Sequence, residues 1–266
     1  MVDKKIPGKR SDNSGGGKRT ARETTVRVKT ARERKASSTR WLQRQLNDPY
    51  VQEAQRLGYR SRAAFKLLQI DEKINVLRPG LRVVDLGAAP GGWCQVLSDK
   101  KMKNIVAIDV LPVDPFPDVD FLQMDFTDDD APERLKEVMG GNGKADLVLS
   151  DMSPNTTGHR QTDHLRMMML LELAIDFALD VLEPHGNFVA KVFQGGAEAE
   201  LMALLKKNFK TVKHIKPPAS RKESPEQYLC ALGFKGTARK DARPEDAGND
   251  GDGEDGDMRP HRDMEL

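Results

Sequence analysis

Four side chains, Lys66, Asp151, Lys191 and Glu226, are spread along the middle of the chain around a glycine-rich turn at residues 83–93. Asp151 and Lys191 each follow a short apolar run, Asp146-Leu147-Val148-Leu149-Ser150 and Asn187-Phe188-Val189-Ala190, that reads as a strand. Open α/β sheets place their chemistry at the C-terminal ends of strands. A carboxylate and an amine there, beside a nucleotide-type turn, suit proton handling next to a bound cofactor. The combination points to an enzyme.

The turn narrows the cofactor. A strand ending in Asp85-Leu86-Gly87, followed by Gly91-Gly92 and a helix, lets backbone approach a ligand closely. A phosphate-cradling P-loop requires Gly-Lys-Ser/Thr, where this chain has Gly92-Trp93-Cys94. A dinucleotide fingerprint requires Gly-x-Gly-x-x-Gly, and Gly87-Ala88-Ala89 fails that spacing. Asp109 ends the next strand, where a carboxylate can accept from both ribose hydroxyls. Asp125, after the third strand, can accept from an adenine amino group. A lone strand-end Asp is usually just solvated, but acids in register after successive strands fit a nucleoside without phosphates. S-adenosylmethionine is the candidate. Trp93 suits either a core position beneath the turn or a wall of the cofactor pocket.

These residues need a sheet to hold them. Strands are expected at 82–86, 105–109, 119–123, 146–150, 187–192, 211–215 and near 228–234, with helices between most of them near 92–100, 131–139, 164–182 and 197–208. This alternation implies a mostly parallel, doubly wound seven-stranded sheet with helices on both faces. The last two strands would form an antiparallel edge. Ahead of the sheet, Ser38-Thr39 can cap a short helix, Pro49 opens a second that Gly58 stops, and Ser61 can cap a third carrying Lys66.

Composition sets the outer limits. Charged residues make up 32% of the chain and sit mostly at its ends, so the net charge of +2 conceals a basic front and an acidic back. Residues 1–37 read as a basic disordered arm, either a phosphate-touching segment or a solvated tail. Residues 38–236 form the folded domain with an N-terminal helical part, and 237–266 read as an acidic disordered tail. Two unpaired cysteines, Cys94 and Cys230, argue against a disulfide scaffold or zinc site, and no metal is expected. The run from Met167 to Leu182 is broken by Glu172, Asp176 and Asp180, one polar stripe of an amphipathic helix rather than a membrane span. With no apolar N-terminal stretch of signal-peptide type, a cytoplasmic protein is expected.

Four strings now carry a resemblance: Ser61-Arg62-Ala63-Ala64-Phe65-Lys66-Leu67, Val84 to Trp93, Ser150-Asp151-Met152-Ser153-Pro154-Asn155 and Lys191-Val192-Phe193-Gln194-Gly195. In order and spacing they resemble the FtsJ/RrmJ (RlmE) ribosomal RNA methyltransferases, over about residues 37–236. The resemblance implies a class I S-adenosylmethionine-dependent methyltransferase (Rossmann-like) fold. It also implies methyl transfer to the ribose 2'-hydroxyl of a uridine in large-subunit (23S) ribosomal RNA, late in 50S assembly, by a monomer. The family's Lys-Asp-Lys-Glu tetrad falls on Lys66, Asp151, Lys191 and Glu226, and its cofactor contacts on Gly91, Trp93, Asp109, Asp125 and Asp151. Departures from the bacterial pattern at Ala64, Cys94 and Met124 leave the tetrad untouched.

In that frame Lys191 is the base or the hydroxyl-orienting group, held by Asp151, and Glu226 orients one of the lysines. A lysine acts as base only when neutral; Lys66 would favour that form and Asp151 oppose it, so the sign stays open. Arg40, Arg44, Arg60, Arg62, Arg221 and Lys222 are candidate phosphate contacts. His159 and His164, around the loop after Asp151, can close over substrate or be ordinary polar residues. Two further readings remain: the same chemistry on a transfer RNA or an mRNA cap, and a ribosome-assembly factor with secondary catalysis.

Overall fold

The computed structural model describes residues 36–155, 157–195 and 199–236. The arm and the tail therefore lie outside the described residues, apart from the last two positions of the arm. Three helices lead: α1 (Ala36–Leu46), α2 (Pro49–Leu57) and α3 (Ala63–Ile74). The alternating unit follows as β1 (Arg82–Leu86), α4 (Gly92–Asp99), β2 (Asn104–Asp109), β3 (Asp120–Gln123), α5 (Ala131–Met139), β4 (Ala145–Ser150) and α6 (Arg160–Val181). It closes with β5 (Leu182–Phe193), α7 (Ala199–Asn208), β6 (Phe209–Ile215) and β7 (Glu226–Phe234).

The seven strands form one sheet in the order β3-β2-β1-β4-β5-β7-β6. Strands β1 to β5 pair in parallel, and β7 runs antiparallel between β5 and β6. The strand order reverses next to β1, so the crevice at the C-terminal ends of β1, β2 and β4 is where this topology binds ligands. Side chains alternate across the sheet. Val84, Val106, Val148 and Phe188 face a core shared with α5, α6 and α7. Val83, Ile105, Leu147 and Val189 face the other core with α2, α3 and α4. The described helices include none long and apolar enough to cross a membrane.

Local chemistry explains the element ends, with two corrections. Helix α2 starts as expected: Asp48 accepts from the Tyr50 N–H at 3.0 Å, Pro49 follows, and Gly58 ends the helix at φ 75°. Helix α1, however, begins at Ala36, so Ser38 and Thr39 lie inside its first turns rather than capping it. Ser61 does not cap α3 either. Arg62 takes that position, and the buried Ser61 hydroxyl has no hydrogen-bond partner among the described residues. It is pressed against Gly92, where an added Cβ would stand 2.3 Å from it. Strand β5 is also longer than its apolar run implies, because pairing with β4 continues through a register shift between Ala145 and Leu147 to Leu182.

Candidate active site

Three strands and one helix bring the four expected residues to one end of the sheet. On β7, Glu226 and Tyr228 are two apart and therefore share a face; in the antiparallel pairing Tyr228 sits opposite Lys191 and Glu226 opposite Phe193. Lys191 projects from the same face of β5 as Val189, toward α3, which carries Lys66. Asp151 follows β4 directly, its N–H bonded to the Leu86 carbonyl at 3.0 Å. Strand alternation, register and the packing of α3 thus converge four residues distant in sequence.

Two ion pairs result. The Lys191 Nζ lies 2.9 Å from Asp151 Oδ1 and donates to the Asp151 carbonyl at 2.6 Å. Lys66 Nζ donates to Glu226 Oε2 at 2.8 Å, and Ser220 donates to the other oxygen at 2.6 Å. The Tyr228 hydroxyl donates to Asp151 Oδ1 at 2.6 Å, and its ring lies against Trp93 with centroids 5.7 Å apart. Lys191 is only 8% exposed and Asp151 16%, so this contact is largely dry.

Burial raises the Asp151 carboxyl, but the charges of Lys191 and Lys66 and the Tyr228 hydrogen bond outweigh it and hold the group below the usual carboxylate range. Burial, Asp151 and Glu226 together push the Tyr228 phenol well above its ordinary value, so it stays a hydrogen-bond donor. Lys66, expected to place a positive charge near Lys191, pairs with Glu226, the acid expected to orient one of the lysines.

The cofactor residues divide into two groups. A cleft of about 300 Å³ opens at the ends of β1, β2 and β4, lined by Gly87, Asp109, Met124, Asp125 and Met152 among others. Asp109 clamps the glycine-rich turn, accepting from the Ala89 N–H at 2.8 Å and the Leu111 N–H at 2.9 Å. Asp125 takes the Thr127 N–H and hydroxyl on Oδ1, leaving Oδ2 for a ligand. Gly87 has φ +81°, and a Cβ there would meet the Met152 backbone at 2.7 Å, so only glycine leaves this floor open. Gly91, Trp93 and Asp151 are not among the residues lining this cleft. Of the two readings for Trp93, its side chain takes the core one: it is 2% exposed and donates to the Ala63 carbonyl at 2.9 Å. Its backbone N–H remains at the start of α4, where the first N–H groups have no intrahelical acceptor.

Beneath the turn lies Asp85, fully buried. The Cys94 thiol lies 3.3 Å from its Oδ2, while Oδ1 has no hydrogen-bond partner among the described residues. Burial pushes this carboxyl up to about 7; the Cys94 hydrogen bond lowers it, and Asp151 and Asp109 raise it further. Between the ordinary carboxylate value and about pH 7 only the unfolded chain releases this proton, so native stability declines as pH rises through that window. Asp85→Asn should therefore be more stable than wild type at pH 8, by on the order of 2–4 kcal/mol, with the difference vanishing toward pH 4. Thermal melts across pH 4–8 measure it; a constant difference would contradict the assignment.

The basic candidates also sort themselves. The Arg62 guanidinium is spent on Asp48 and the Ala219 carbonyl, and Arg221 on Gln45 at 2.8 Å. Arg60 donates to the Asp114 carbonyl at 2.7 Å and lies 3.7 Å over the Phe116 ring. These three hold the helical part and a loop in place. Arg44 and Lys222 are exposed and suit phosphate contacts better, while the Arg40 side chain lies outside the described residues. His159 caps α6 by accepting from the Thr162 N–H. Tyr228 and Ser220 were not singled out in the sequence; Tyr228 was findable, being two residues from Glu226 on an expected strand.

Residues 59–234 fit the FtsJ-like methyltransferase model. The chain belongs to the FtsJ-like methyltransferase family. A Paramagnetospirillum magneticum protein named ribosomal RNA large subunit methyltransferase E is 61% identical, covering 82% of this chain and 91% of its own. One of the same name from Parvibaculum lavamentivorans is 54% identical over 86% and 94%. Among solved structures, a Plasmodium falciparum protein titled a ribosomal RNA methyltransferase is 32% identical with a TM-score of 0.58, covering 67% of this chain and all of that one. This FtsJ-like chain is a methyltransferase with the expected class I α/β fold.

Proposed function

We propose that this FtsJ-like enzyme transfers a methyl group from S-adenosylmethionine to the ribose 2'-hydroxyl of a uridine in large-subunit (23S) ribosomal RNA, late in 50S assembly, as a cytoplasmic monomer. The observation that carries this reading is Lys191 held dry against Asp151 and Tyr228 at the strand ends, with the glycine-floored cleft alongside. When bound, S-adenosylmethionine supplies an electrophilic methyl on a positively charged sulfur.

The cleft suits that molecule. Asp109 and Asp125 offer carboxylate oxygens, and the N–H groups of Gly92 and Trp93 at the start of α4 suit a carboxylate. Lys191 Nζ is the group placed to orient the 2'-hydroxyl and accept its proton. Asp151 and Tyr228 fix the Lys191 position, and Glu226 with Ser220 fixes Lys66 at the mouth. Alignment supplies much of the rate, and proton removal adds ~10²–10⁴-fold.

The test offers labelled S-adenosylmethionine with unmodified large subunits, naked ribosomal RNA, transfer RNA and capped RNA. Label entering large-subunit RNA as a 2'-O-methyl nucleotide is the expected result. Label in transfer RNA or a cap alone would overturn the substrate, and cofactor binding without any transfer would favour an assembly factor.

A further inference from the structure

Beyond the catalytic residues, a second and larger cleft of about 620 Å³ opens at the same end of the sheet. It runs between the end of β5, the first turn of α6 and the loop before β7. Ser153 lines both it and the cofactor cleft, so the two spaces meet at the loop that follows Asp151. Glu226, paired with Lys66, forms part of its wall. A group filling this space lies next to the reacting centre without competing for the cofactor's place.

The lining has the chemistry of a nucleobase site. Phe193, half-buried at the end of β5, offers an aromatic surface; bases stack on such rings whatever their identity. Around it stand Gln161, Gln194, Arg160 and His164. Among the described residues none of these side chains makes a hydrogen bond or ion pair, in contrast to the arginines engaged elsewhere. Two backbone features hold the site open: the Gln194 N–H donates to the Pro225 carbonyl at 2.6 Å, and Gly195 has φ +126°. A Cβ at Gly195 would come within 4.0 Å of the His164 ring.

We infer that this cleft receives the base of the target nucleotide, turned out of its stack, and reads it as uracil; this deepens the function proposed above and rests on it. Each glutamine amide offers one donor edge and one acceptor, which pair with a carbonyl and the ring N–H of uracil. Arg160 has donors only. It therefore favours the second carbonyl of uracil over the amino group that cytosine presents. With the base seated here, its ribose is carried toward Lys191.

The experiment uses the full chain, S-adenosylmethionine and large subunits with either uridine or cytidine at the mapped acceptor position. Gln161 and Gln194 are exposed, so Gln161→Ala/Gln194→Ala leaves the core intact. Wild type is expected to prefer uridine by ~10–100-fold in kcat/KM, a discrimination typical of paired base-edge hydrogen bonds. The double variant should lose roughly that factor on uridine, and Arg160→Ala, at an exposed position, should lose most of the preference, each with cofactor affinity unchanged by calorimetry. A variant that keeps the wild-type rate and preference would overturn the pocket while leaving the methyltransferase reading intact. Wild type that transfers to neither substrate would instead overturn the parent reading.

Discussion

Lys191→Arg should give a folded, cofactor-binding protein whose methyl transfer falls by ~10²–10⁴-fold, the usual share of a general base. Arginine keeps a positive charge facing Asp151, so the buried pair that supports the fold survives. It cannot be deprotonated in a protein, so the proton-accepting form is lost. Single-turnover rates with saturating cofactor and RNA separate the chemical step from binding. A rate within a factor of three of wild type would reduce Lys191 to an orienting group. A parallel loss of cofactor affinity would mean that the bulkier side chain had disturbed the cleft.

The second large effect falls on stability. Asp151→Ala removes the carboxylate that faces both Lys191 and Tyr228, leaving a nearly buried phenol without its acceptor and an ammonium without its counter-charge, held only by the carbonyl of residue 151. Breaking one side of a buried pair costs about 3–5 kcal/mol. For a domain of this size that lowers Tm by about 10 °C. The pH dependence follows from a carboxyl held below its usual range: its contribution is complete above the unfolded value and disappears as pH falls through the folded one. The Tm gap between wild type and variant should thus be widest near neutrality and close in acid. A gap independent of pH would mean that lost packing, rather than charge, accounts for it.

Much of this was legible in the chain. Apolar runs ending in Asp85, Asp109, Ser150 and Lys191 marked the strands, because buried parallel strands need continuous apolar residues. The positions of Asp151 and Lys191 at strand ends then located the chemistry. Pairing partners were not legible. Tyr228 comes to face Lys191 only through the antiparallel register of β5 and β7, and Ser220 reaches Glu226 through a loop without periodicity. The arginines misled for a related reason: Arg62 and Arg221 read as candidate phosphate contacts, whereas Asp48, the α2 cap, draws both inward. Capping serines were likewise misplaced at Ser38 and Ser61, since short polar residues fit a cap or a tight helix contact equally well. Trp93 stayed ambiguous because one residue can serve the core through its ring and a ligand through its N–H.

The central claim is that the acceptor is a ribose 2'-hydroxyl aligned at Lys191. It is tested most directly by large-subunit RNA carrying a single 2'-deoxyuridine at the mapped acceptor, compared with the ribose form in labelled transfer. The account predicts loss of label from the deoxy substrate with binding retained, because only the reacting oxygen is gone. Undiminished label, recovered on the base, would contradict it.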